Sequence, residues 1–338
     1  MTVIALDAMG GDFVPRAPVE AAVRAVRELS CQVILVGDAQ VLEPELQRHS
    51  HDPEKIHIHH TAEHLSGEDS PAEGLRRKKQ ASVRVAFDLV KIGQAQAALG
   101  AGHSGGLMIA GKMALGTLPG IDRPAIASHL PHSRGTTILL DSGANVDCKP
   151  HYLINFAVMG AIYAQLMLNN PSPRVALLSN GREAGKGNDL TRQVYRLLEQ
   201  SALTFAGNLE PRDLFKGKAE VIVCDGFVGN LVLKTAEAAG TEVRLLLRDT
   251  MTRSPLARLG RLLLRRFFLD LARRTDHREI GGSLLLGLRG VGIVCHGSSS
   301  PRAIANGIRL AMQCVEQGLV EEIDRGFRKF STLKSASA

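Results

Sequence analysis

The chain has 338 residues, 44% hydrophobic and 22% charged, enough to bury a large core in one α/β domain or two smaller ones. Tryptophan is absent and aromatic residues make up 4%, so the interior is aliphatic and base-stacking platforms for nucleic acid are not expected. The net charge of +7 suits an acidic partner or surface, and five scattered cysteines without zinc-ligand spacing read as buried thiols in a reducing, cytoplasmic compartment.

The chain enters a strand at once, Val3–Leu6, with no basic head or signal-peptide core before it. The glycine turn Asp7-Ala8-Met9-Gly10-Gly11-Asp12 follows, where paired glycines allow close backbone approach and the aspartates can cap or orient. A helix over Ala17–Leu29 leads to a strand over Val33–Val36, then a helix over Pro71–Ile92 and a strand over Ala97–Leu99. Gly100 to Gly106 is a second such turn, opening a helix over Leu107–Leu115 whose N-terminus could face an anion. It lacks the context of a dinucleotide fingerprint.

Strands over Pro124–Ala127 and Thr137–Leu140 come next, then Asp141 to Pro150, which places Asn145 and Lys149 at a strand end. The helix over His151–Leu168 is apolar but too short and interrupted for a membrane span, and reads as a core or dimer-interface helix. After a strand over Val175–Leu178, Gly185-Lys186-Gly187-Asn188-Asp189 sets a lysine between glycines before a helix over Leu190–Glu199. That is either a phosphate-binding turn or a solvated surface turn. A strand over Val221–Val223 precedes Cys224-Asp225-Gly226-Phe227-Val228-Gly229-Asn230 and a helix over Leu231–Leu247. A strand over Val291–Cys295 ends in His296-Gly297-Ser298-Ser299-Ser300-Pro301, a plausible anion cradle or a plain serine cap, before a helix over Ala303–Gln317.

Alternating strands and helices predict an α/β fold, Rossmann-like, with a mostly parallel sheet and helices on both faces. Ligands then bind beyond the carboxyl ends of the strands, and all six turns are expected to converge on one edge. Residues 1–330 read as a single catalytic domain and 331–338 as a disordered tail.

The segments Ala5 to Asp12, Leu75 to Lys79, Gly143 to Pro150, Val223 to Phe227 and His296 to Ser299, in this order, resemble the bacterial phosphate acyltransferase family from residue 1 to about 330. The resemblance implies a fold related to phosphotransacetylases and to isocitrate and isopropylmalate dehydrogenases. It implies transfer of a long-chain fatty acyl group from acyl carrier protein to inorganic phosphate, giving acyl-phosphate for glycerophospholipid synthesis. It also implies homodimers loosely attached to the membrane, at its inner face for a cytoplasmic chain; no cofactor, metal or nucleic acid is expected. His103-Ser104-Gly105 stands where the family has Asn-Thr-Gly, and Ser179 to Ala184 where it carries a glutamate run. Gly281-Gly282-Ser283 and Ser300-Pro301 also vary the pattern.

Phosphate is itself an oxygen nucleophile, so such a protein needs to supply positioning and charge stabilisation rather than a nucleophile. Lys186 is expected to bind phosphate or the oxyanion, Asn230 to donate to the carbonyl oxygen, and His296 with Gly297, Ser298 and Ser299 to complete the anion site. Asp225 and Asn145 would orient them, with Asp7, Gly10, Gly11, Asn188 and Gly226 in substrate-binding turns. A covalent Cys295 route is disfavoured, because neighbouring strand residues point to opposite faces.

Residues 251–276 hold seven arginines against two aspartates, most of the net charge. They read as a basic amphipathic helical segment whose Arg258, Arg261, Arg265 and Arg266 would meet acyl carrier protein or a membrane. Arg76-Arg77-Lys78-Lys79 is a second basic cluster. Two rival readings are an NAD-dependent dehydrogenase of the same fold, and a catalytically impaired paralogue acting as a binding module for membrane or carrier protein.

Overall fold

The computed structural model describes residues 1–67, 69–251, 267 and 281–336. In chain order the elements are β1 (Thr2–Asp7), α1 (Arg16–Glu28), β2 (Cys31–Gly37), α2 (Ala39–Gln47), β3 (Ile56–His60), α3 (Pro71–Arg77), α4 (Ser82–Lys91), β4 (Ala97–Gly100), α5 (Ser104–Leu115), β5 (Ala125–His132) and β6 (Gly135–Leu140). There follow α6 (Pro150–Met167), β7 (Arg174–Leu178), α7 (Asp189–Glu199), β8 (Thr204–Leu209), β9 (Val221–Val223), α8 (Gly226–Thr250), β10 (Ser283–Leu286), β11 (Val291–Val294), α9 (Pro301–Glu316) and α10 (Leu319–Ala336). The last helix takes in residues expected to form the tail. Apart from Met251 and Phe267, the basic segment 251–276 with Arg258, Arg261, Arg265 and Arg266 lies outside the described residues.

The strands form one sheet in the order β3-β2-β1-β4-β11-β10-β5-β6-β9-β7-β8. Pairing is parallel from β3 to β11 and again from β6 to β8, as the alternating pattern predicts. Between these blocks, β11-β10-β5-β6 is antiparallel, built from two hairpins whose connections are too short for a crossover. This middle corrects the expectation of a single ligand edge. The strands from β6 to β8 run opposite to the first block, so the turns after β6, β7 and β9 leave by the other edge.

One face carries a continuous core. Ala17, Ala21, Ala25 and Val26 of α1 are buried, and these small side chains let α1 pack closely on α9. Leu153, Phe156 and Tyr163 of α6 and Ile304 and Ile308 of α9 fill the same cluster. α6 is buried on most of its circumference, which explains its apolar composition, and among the described residues no helix is long and apolar enough to cross a membrane.

The opposite face is divided. Leu75, Phe87, Leu107 and Ile126 form one cluster under α3, α4 and α5. Leu130, Leu139, Leu178 and Ile222 form another, against Val228, Val232 and Leu233 of α8. On β5, Ile126 belongs to the first cluster and Leu130 to the second. Ser128 stands between them on the same side of the strand, and the core is interrupted there.

The single helix expected over Pro71–Ile92 is broken. Glu63 spans the gap, its carboxylate accepting from the Gln80 N–H at 2.8 Å and its carbonyl from the Ser82 N–H at 2.9 Å. In the basic cluster there, Lys78 is bound to Asp69 at 2.6 Å.

Candidate active site

A cleft of about 800 Å³ opens at the division between the two clusters. α5 walls it on one side and α8 on the other. Its far end is made by the turns after β1, β4 and β11, which leave the first block by the same edge. These turns meet backbone to backbone: a β-carbon on Gly10 would lie 3.1 Å from the Gly102 Cα and 2.7 Å from the Asp7 carboxylate. Gly11 has φ +106°, and a β-carbon there would lie 2.9 Å from the Ala101 carbonyl. The Asp12 N–H donates to the Gly297 carbonyl at 2.9 Å, tying the first turn to the last.

Asp7 is buried beneath them and accepts from the Met9 N–H at 3.1 Å. Burial pushes its carboxyl above the ordinary carboxylate value, against the lowering effect of its hydrogen bonds. In the β11 turn, the Ser298 N–H and hydroxyl reach Nδ1 of His296 at 3.3 and 2.9 Å. A backbone N–H can only donate, so Nδ1 accepts and the neutral ring carries its proton on Nε2 as the remaining donor.

The helices around the cleft differ at their N-termini. Ser300 caps α9 by accepting from the Ala303 N–H, and Asp225 caps α8 by accepting from the Val228 N–H at 2.8 Å. α5 has no side-chain cap, although Ser104, Gly105 and Gly106 of its first turn line the cleft. The His103 ring lies over that turn, 3.2 Å from where a Gly105 β-carbon would be. Uncapped amides at a helix start are donors suited to an anion.

The floor is a chain of three hydroxyls. Ser142 donates to the Ile126 carbonyl at 3.1 Å, so it accepts from Ser128 at 2.6 Å, and Ser128 accepts from Ser283 at 2.7 Å. With these donors committed, Ser283 faces the cleft with an open acceptor position.

The turn after β6 is organised by buried Asp141. Its carboxylate accepts from the backbone of Ile126, Gly143, Ala144 and Asn145, and from the Asn145 side chain at 2.9 Å. Asn145 also donates to the Pro124 carbonyl and accepts the Gly226 N–H at 2.7 Å. Asn145, Asp225 and Gly226 therefore lie behind the cleft wall, where they fix the start of α8. Asn230, Leu233, Lys234 and Glu237 recur at helical spacing along α8 and line the cleft.

Of the residues expected at the site, Asp7, Gly10, Gly11, Asn230, His296, Gly297, Ser298 and Ser299 come together in the cleft. Lys186 and Asn188 do not. Lys186 is exposed on the turn after β7, which lies three strands from β5, roughly 14 Å across the sheet, and it does not line the cleft. Asn188 caps α7 by accepting from the Thr191 N–H at 2.9 Å. Arg182, at one of the departures from the family pattern, is held by Asp213 at 2.9 Å.

Sequence reading missed Ser128, Ser142, Ser283, His64 and Lys234 in the lining. Lys234 falls in register with Asn230 on the helix, a signal that spacing carries. The serines give none, because their meeting depends on the antiparallel middle of the sheet.

Cys295 is buried and donates to the Gly281 carbonyl at 3.1 Å, and burial pushes its thiol up to about 12. It is no thiolate nucleophile at neutral pH. Among the described residues, Glu20 of α1, Glu45 of α2 and His49 just beyond α2 bring potential metal ligands together away from the cleft, where Arg16 and Arg48 already bind the glutamates.

Among solved structures, the fold is similar to the EutD phosphotransacetylase from Staphylococcus aureus, with a TM-score of 0.58 at 16% identity over 94% of each chain. It is also similar to the 4-hydroxythreonine-4-phosphate dehydrogenase from Klebsiella pneumoniae, with a TM-score of 0.52 at 15% identity over 93% of this chain and 100% of that one. These share an architecture. In sequence, the chain is 44% identical over 343 residues to the phosphate acyltransferase of Geobacter sulfurreducens, covering 99% of both. Residues 2–322 match the family described as fatty acid synthesis protein. The chain thus belongs to the phosphate acyltransferase family, a family of transferases.

Proposed function

We propose that the cleft transfers a long-chain fatty acyl group from the thioester of acyl carrier protein to inorganic phosphate. The observation that carries this reading is the pairing, across one cleft, of the uncapped α5 amides with the Asn230 amide. Phosphate sits at the α5 N-terminus and its oxygen attacks the thioester carbonyl. Asn230 and the Nε2–H of His296 donate to the oxygen that becomes negative. The new C–O bond forms as the C–S bond breaks, and the departing thiolate takes a proton from solvent. Met9, Leu65, Val83, Leu107 and Leu233 supply apolar lining for the chain next to the carbonyl.

The carrier protein, homodimer, cytoplasmic location and peripheral membrane attachment belong to the same proposal. Lys186 acts, on this reading, at the cleft of a second copy, because its own turn does not line the cleft. Leu231, Val243, Leu245, Leu246 and Leu247 are exposed along α8, which supports association through that helix.

Incubating the protein with acyl carrier protein thioester, phosphate and hydroxylamine tests the reading. Phosphate-dependent hydroxamate is the expected product. Its absence with folded protein, or formation independent of phosphate, overturns the reading.

A further inference from the structure

The lining of the cleft carries three carboxylates among its described residues, Asp7, Asp12 and Glu237, and a single lysine or arginine, Lys234. A phosphate dianion entering such a cleft meets donors at the α5 N-terminus but needs a full positive charge to offset its own. Lys234 is placed to provide it. It lies four residues after Asn230, hence on the same face of α8, and Leu233 and Glu237 line the cleft beside it. α8 packs on the second apolar cluster and α5 on the first, so Lys234 stands on the wall opposite the uncapped amides of Ser104, Gly105 and Gly106.

We propose that Lys234 binds the acceptor phosphate, its ammonium clamping the anion against the first turn of α5. The assignment rests on the acyl-transfer reading above and gives that site its cationic phosphate partner within one chain. Lys186, on the turn after β7, is then not the sole source of positive charge at the reaction centre. The flexible lysine stem lets the ammonium follow the phosphoryl group as it becomes the acyl-phosphate, while Asn230 serves the carbonyl oxygen. The two α8 residues thus act on different parts of the reacting pair.

Two measurements on Lys234→Met and Lys234→Arg test this. In steady-state turnover, Lys234→Met raises KM for phosphate by about ten- to a hundredfold, with the acyl-donor KM within about twofold, and Lys234→Arg recovers most of the loss. Lys234 is exposed, so the melting temperature of both variants stays close to that of the parent. In calorimetry without acyl donor, inorganic phosphate binds the parent protein and binds Lys234→Met weakly. An unchanged phosphate KM in Lys234→Met overturns the assignment, and so does parent protein that binds no phosphate. If the parent makes no acyl-phosphate, the acyl-transfer reading fails while the calorimetric comparison still decides whether Lys234 holds phosphate.

Discussion

Gly229 rests directly on the turn that Asp141 organises: a β-carbon at Gly229 would lie 1.9 Å from the Asp141 carbonyl oxygen. Gly226 is similarly close, 2.7 Å from the Asn145 carbonyl. The first turn of α8 can approach this loop only without side chains, and that approach fixes where Asn230 enters the cleft. Gly229→Ala is expected to lower stability by about 3 kcal/mol, since backbone rather than a flexible side chain must yield. Thermal unfolding together with turnover measures it. A variant as stable and active as the parent would show that the contact does not set α8.

Asn230 is the donor expected to serve the developing oxyanion. Asn230→Ala should lower kcat by about a hundred- to a thousandfold, with the melting temperature nearly unchanged. Loss confined to KM would assign it to ground-state binding instead.

The partly buried His129 gives a pH signature in stability. Burial lowers its pKa from 6.5 to about 4, and its Nε2 pairs with the Tyr163 hydroxyl at 3.2 Å. The folded state therefore favours the neutral ring. The stability from this preference is present above pH 6.5 and is lost as pH falls from 6.5 towards 4, on the order of 3 kcal/mol. Denaturant unfolding between pH 7 and pH 4 should show this slope, and His129→Gln should flatten it. An equal slope in the variant would place the acid sensitivity elsewhere.

Cys295→Ala should keep turnover within about twofold, and iodoacetamide should not inactivate the native protein at neutral pH, because the thiol is buried and pushed up to about 12. Inactivation by loss of this thiol would revive a covalent route.

Much of the architecture was legible because buried parallel strands are short runs of valine, isoleucine and leucine. β1, β2, β7, β9 and β11 all stand out in this way. β3 was hidden because Ile-His-Ile-His-His at a sheet edge mixes apolar and polar residues, and α2 because Pro44 interrupts its pattern. β10 begins with a serine that serves the cleft floor, so its pattern was masked by the site itself. The glycine turns were read correctly as strand ends, but their division between two edges depends on the hairpins at β5-β6 and β10-β11. That division sets the turns that carry Lys186 and Asn230 on the edge opposite the turns of Asp7 and His296, and no turn's composition discloses it.

The central claim is that this cleft joins an acyl group to phosphate. It is tested most directly by phosphorus NMR of the parent protein and Asn230→Ala with acyl carrier protein thioester and inorganic phosphate. The account predicts an acyl-phosphate resonance that grows as inorganic phosphate declines in the parent and is nearly absent in the variant. No such resonance from folded parent protein, or equal growth in the variant, would contradict it.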